Sequence, residues 1–138
     1  MKSIRNKRYE FNLQYPKPLM RKDLDQLMAI GESGLFSRYS SDVVSELEIE
    51  LANYYQQEYA ITCTSGTAAL HGCLVALNLK PGSEIITTSV ADIGIIIPII
   101  YENLIPVFAD IDFNTYNITA EYVEQKITKK TKAIIAVH

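Results

Sequence analysis

The chain has 138 residues, 48% of them hydrophobic and 21% charged, a balance that suits one globular domain with enough apolar mass for a core. Its net charge of -3 is scattered along the chain, so there is no basic stripe for a nucleic-acid backbone. The longest apolar stretch, Ile93 to Tyr101, is too short to span a membrane, and the basic start (Lys2, Arg5, Lys7, Arg8) has no apolar run behind it. The expectation is therefore a cytoplasmic protein with neither a membrane anchor nor a nucleic-acid partner.

In chain order, residues 1–18 lack periodicity and hold Pro16 and Pro18, which reads as an extended arm. Leu24, Leu27 and Met28 recur at helical spacing over residues 21–30, with Gly31 and Gly34 ending the pattern. Ser41 and Asp42 offer caps to a second helix whose apolar face carries Val43, Leu47, Leu51, Tyr54 and Tyr55. These elements define an N-terminal region, residues 1–57, whose helices offer faces for another subunit. From residue 58 to 138 the pattern changes to alternating strands and helices: strand 59–64, helix 67–79, a Pro81-Gly82 turn and strand 84–88.

The isoleucine-rich stretch 91–103 favours a strand by propensity. Two parallel neighbours, however, need a crossover, and this stretch has the length of a buried helix bent near Pro98. Strand 106–110, helix 120–127 capped by Thr119, and strand 132–137 complete the series. The expected fold is α/β, a mostly parallel sheet with helices on both faces. Cys63 and Cys73 form no CxxC pair and read as buried thiols, not as a disulfide.

Ligands of open parallel sheets bind outside the carboxyl ends of the strands. That rim collects Ser65, Gly66 and Thr67, then Thr88 to Asp92, then Asp110 and Asp112, and finally His138, which is placed to touch substrate. Serine, threonine and aspartate also cap helices after strands, so a structural role competes at each position. Ser65-Gly66-Thr67 stands out because small hydroxyl residues and a glycine at a helix entrance form a seat for a phosphate. Asp110 and Asp112 have the spacing to hold a divalent cation beside a diphosphate, which gives a second reading as part of a nucleotide-sugar glycosyltransferase. His71 has no partner evident in sequence and reads as a packing or surface residue.

Four motifs carry more than this local chemistry: Cys63 to Leu70 (CTSGTAAL), Lys80 to Ile86 (KPGSEII), Ile105 to Asp112 (IPVFADID), and Ile127-Thr128 with Thr131 to Ile135 (TKAII). Together, over residues 34–138, they resemble the DegT/DnrJ/StrS family of sugar aminotransferases dependent on pyridoxal 5'-phosphate. The resemblance implies the large domain of a fold-type I transferase. It implies a homodimer that passes an amino group from glutamate or glutamine to a keto sugar, often nucleotide-linked, in polysaccharide or secondary-metabolite synthesis. It assigns Gly66 and Thr67 to the cofactor phosphate, Ser65 to the shape of the turn, and Ser33 and Gly34 to a substrate-side loop near the entrance. Asp92 falls where the family usually places an aromatic ring against the pyridine face; an acidic side chain cannot stack, so either it makes a hydrogen bond to cofactor or substrate, or cofactor binding is impaired, or it is a helix cap.

In the family, the lysine that carries the cofactor and the aspartate facing the pyridine nitrogen both come later than the position of His138. The expectation is thus the opening part of such an enzyme, with no catalytic residue of its own and unable to transaminate alone, or a product that only pairs with a full-length subunit. Lys80 and Lys132 are no substitutes, since both fall at strand starts on the opposite rim. The resemblance also separates the first strand from the others by strands that arrive later.

Overall fold

The computed structural model describes residues 18–137. Most of the expected N-terminal arm, residues 1–17, and the terminal His138 lie outside the described residues. The chain divides between Glu58 and Tyr59 into two compact units.

The first unit contains helix α1 (Arg21–Ser33) and helix α2 (Val43–Tyr54). At the start of α1 the Asp23 carboxylate accepts the Met20 N–H at 2.8 Å, which satisfies a donor just outside the first turn. Helix α1 runs three residues further than the sequence spacing suggests, through Gly31, and ends where Gly34 turns left-handed at φ 66°. One glycine is tolerated inside the helix; the other is placed where a left-handed residue is needed. At α2 the expected Asp42 side-chain cap does not form, and Ser41 Oγ accepts the Val43 N–H instead, at 3.3 Å.

The second unit has helix α3 (Gly66–Ala76), strand β1 (Glu84–Thr88), a short 3-10 turn (Ile93–Ile95), helix α4 (Ile96–Tyr101), strand β2 (Ile105–Ala109), helix α5 (Ala120–Glu124) and strand β3 (Thr131–Ile134). All three strands are parallel in the order β2-β1-β3. Strand β1 is central, and its last four residues are buried, as a strand covered on both faces must be. Its consecutive isoleucines point to opposite faces. Ile85 joins Leu74, Ile99 and Leu104 under α3 and α4, while Ile86 joins Ala109 and Val123 under α5. The expected α/β arrangement with helices on both faces is what forms.

Two threonines occupy the buried end of β1. Thr87 Oγ1 donates to the Ile135 carbonyl at 3.1 Å, and Thr88 Oγ1 accepts the Val90 N–H at 3.1 Å, so neither hydroxyl is left unsatisfied. Ahead of β1 the Lys80 to Ser83 turn is closed by a Ser83 N–H to Lys80 carbonyl bond of 3.0 Å, with Gly82 at φ 81°. That left-handed value at the third turn position explains the glycine after Pro81.

Three expectations need correction. The run 59–64 is not a strand, because it belongs to neither edge of the sheet formed by the described residues. Its β-forming side chains alone do not make a strand, which is defined by ladder bonds to a neighbour. The stretch 91–103 is helical only from Ile93 to Tyr101, and its change of geometry does not fall at Pro98. The change from 3-10 to α geometry comes two residues earlier, and Pro98 sits in the first turn of α4, where a missing N–H costs little. Finally, Cys63 and Cys73 are free thiols but are exposed, not buried. Helix α3 buries Leu74 against the sheet and leaves much of its remaining surface, with Cys73, open.

Candidate functional site

The N-terminus of α3 is built by its first residues. Ser65, extended at φ -163°, places its hydroxyl to accept the Ala68 N–H at 3.1 Å, while its carbonyl accepts the Ala69 N–H at 3.0 Å. The N–H groups of Gly66 and Thr67 precede Ala69, the first residue to donate along the helix, and have no partner among the described residues. Two backbone donors and the Thr67 side chain therefore stand at the positive end of the helix dipole.

The 3-10 turn that follows β1 faces this end of α3. Asp92 caps it, with Oδ1 accepting the Gly94 N–H at 2.7 Å. Gly66, Thr67, Leu70, Asp92, Gly94 and Ile95 line one open pocket of about 440 Å³. Three of the expected cofactor residues, Gly66, Thr67 and Asp92, thus come together beyond the carboxyl end of β1, where a parallel sheet takes its ligands. Ser65 holds the turn from behind. Gly94 and Ile95 escaped the sequence reading; the only signal was a glycine two residues after a capping aspartate.

Other candidates are placed elsewhere. Ser33 and Gly34 belong to the first unit, where Ser33 Oγ donates to the Ile30 carbonyl at 2.8 Å and accepts the Leu35 N–H at 3.1 Å, and Gly34 ends α1. His138 lies outside the described residues. Asp110 Oδ1 accepts its neighbour Ile111 N–H at 2.8 Å, and Asp112 Oδ1 accepts the N–H groups of Thr115 and Asn114 at 2.9 and 3.0 Å. These backbone donors, Thr115 first, hold the Asp112 carboxyl below the usual carboxylate value. Asp112 is thereby a turn-former, and among the described residues no three acidic, His or Cys side chains gather into a metal site.

His71 does have a partner: its Nε2 lies 2.6 Å from Glu102 Oε1, joining α3 to the end of α4. Tyr101 sits edge-on to the same imidazole. Lys129, Lys130 and Lys132 line a separate pocket with Pro81, Gly82 and Ser83, at the amino ends of the strands. Lys132 is accordingly remote from the α3 entrance, as its place in the sequence implies.

A parallel α/β layer whose helix entrance offers two free N–H donors to a pocket, with a capped turn facing it, has the geometry to receive an anionic group such as a phosphate. The DegT/DnrJ/EryC1/StrS aminotransferase family profile matches residues 19–138, and the chain belongs to that family. It is 38% identical to GDP-perosamine synthase of Escherichia coli O157:H7 over 95 residues, 69% of this chain and 26% of that protein. Its fold matches the aminotransferase of Psychrobacter cryohalolentis with a TM-score of 0.82 and 31% identity, over 88% of this chain and 31% of that one. It also matches E. coli GDP-4-keto-6-deoxy-D-mannose-3-dehydratase with bound hydrated PLP, with a TM-score of 0.80 and 28% identity, over 88% of this chain and 32% of that one. The chain spans about a third or less of the length of the relatives it matches. Within the described residues no helix is long and apolar enough to cross a membrane.

Proposed function

We propose that this chain supplies the phosphate-binding part of a pyridoxal-phosphate enzyme that transfers an amino group from glutamate or glutamine to a keto sugar. The observation that carries the reading is the free pair of N–H donors at Gly66 and Thr67, at the mouth of a pocket that Asp92 also lines. Family membership and solved relatives that hold this cofactor support it. Gly66 and Thr67 would bind the phosphate through backbone N–H groups and the Thr67 hydroxyl, with Ser65 fixing the turn. Bound there, the cofactor supplies the electron sink for amino transfer.

Asp92 already accepts the Gly94 N–H through one oxygen, so it acts as a cap and offers its second oxygen to a polar group of cofactor or substrate. It cannot stack on a ring. For Ser33 and Gly34 as substrate-side residues, and for a homodimer in which the first two helices meet a second subunit, the family motif alone is the support. A nucleotide-linked keto sugar is the substrate class, in line with the GDP- and UDP-sugar relatives.

A chimera tests the reaction. Residues 19–138 are placed in the Psychrobacter aminotransferase in exchange for its matching stretch, and the product is given glutamate and a nucleotide-linked keto sugar that the unmodified enzyme is first shown to aminate. Formation of 2-oxoglutarate and amino sugar in equal amounts is the expected result. A folded, cofactor-loaded chimera that releases no 2-oxoglutarate would overturn the reading.

A further inference from the structure

We propose that Gly94 is a positioning residue of the phosphate seat: its bare Cα lets the 3-10 turn close on α3 and leaves room for the rotamer in which Thr67 presents its hydroxyl. The inference rests on the cofactor reading for its functional meaning, but the packing that carries it is independent of any ligand.

Gly94 is buried and its backbone lies in the ordinary 3-10 region, so conformation does not demand a glycine there. Space does. A Cβ built at residue 94 would overlap Thr67 Oγ1, lie 2.8 Å from Asp92 Oδ1 and stand 3.6 Å from Thr67 Cβ. None of the other five glycines has an atom within 4 Å of such a carbon. The crowding therefore belongs to this site and involves two residues that line the pocket.

Threonine in a helix divides between two χ1 rotamers, because its hydroxyl can serve the backbone or point outward. At Thr67 the neighbouring turn decides between them. With no methyl group at residue 94 the hydroxyl keeps its place beside the turn, at the pocket; with one, χ1 must change and Oγ1 swings away. The same methyl group presses on Asp92 Oδ1, the oxygen that caps the turn. One missing side chain thus leaves room for both a donor and the carboxylate opposite it.

The test compares the unmodified chain with G94A, T67A and T67A/G94A. Three-bond couplings across χ1 report the Thr67 rotamer, amide NMR signals of Gly66 and Thr67 report titration with pyridoxal phosphate, and circular dichroism reports folding. In G94A the Thr67 rotamer is expected to change and the affinity to fall about tenfold. In the T67A background, where the overlapping hydroxyl is gone and only the contact with Asp92 Oδ1 remains, adding G94A is expected to lower affinity by about threefold or less. An unchanged Thr67 rotamer in G94A, or the same loss of affinity with and without the Thr67 hydroxyl, would overturn the proposal. If the unmodified chain does not bind pyridoxal phosphate, the cofactor reading fails and the Thr67 rotamer still decides whether Gly94 positions it. Should G94A alone fail to fold, T67A/G94A is expected to fold; failure of both would overturn the proposal too.

Discussion

At the scale of single residues, the helix entrance is where sequence and structure agree most closely. Ser65 is a cap because its hydroxyl reaches Ala68 N–H within one turn, and such local geometry follows from residue type and order alone. S65A should cost about 1 kcal/mol in a urea titration, whereas S65G should cost only a few tenths, since glycine leaves the entrance open to water. No loss in S65A would mean that the hydroxyl bond carries nothing, and a loss in S65G as large as in S65A would mean that water does not replace it. Asp112 offers a second residue-level test. Its carboxyl titrates below the ordinary range because Thr115 and Asn114 N–H groups favour the charged form. The contribution is therefore present above the unfolded-state pKa and disappears as pH falls through the lower folded value. The Thr115 and Asn114 amide signals should shift together in acid, with a midpoint below that of an aspartate in a short peptide, and D112N should abolish the shift.

Long-range contacts were not legible at this scale. His71 meets Glu102 from 31 positions away, and nothing in the local pattern around either residue marks the other. The exposure of Cys63 and Cys73 likewise depends on which helix face the sheet covers, a non-local property that composition misjudged. Gly94 went unread because its reason is a close approach in space, not a turn.

At the scale of elements, the crossover between β1 and β2 is the informative case. Branched isoleucines argue for a strand, yet the parallel ladder that pairs Glu84 with Ile105 and Thr88 with Ala109 requires the chain to return to the same end of the sheet. Topology overrides propensity, and the isoleucines become the packing face of α4. Ile99 is fully buried between α3 and β1, while Ile100 is 56% exposed. I99A should therefore destabilise the second unit by about 2–5 kcal/mol and I100A by no more than about 0.5 kcal/mol, measured by chemical denaturation. Similar losses at both positions would place the helix on a different face. The run 59–64 shows the opposite failure: its side chains favour a strand, but a strand needs a neighbour.

At the scale of the whole molecule, the sheet is short and ends in β2 and β3. Phe108 and Ile134 on those strands remain about half exposed. The relatives are at least three times as long as the stretch that matches them, so in those proteins more chain surrounds this layer. The α/β class, the parallel pairing and the position of the Ser65-Gly66-Thr67 helix entrance at the carboxyl rim were all legible because alternating elements and a hydroxyl-glycine turn are encoded locally. What the rim collects from distant segments was not: of the aspartates expected there, Asp92 lines the pocket while Asp110 and Asp112 serve their own turns.

The central claim is that the backbone at the start of α3 receives the phosphate of the cofactor. The most direct measurement is titration of the chain with pyridoxal phosphate while the Gly66 and Thr67 amide signals are followed, with inorganic phosphate as competitor. Saturable shifts at those two amides, reversed by phosphate and weakened in T67A, are the predicted result. Binding that leaves both amides unmoved, or no saturable binding at all, would contradict the account.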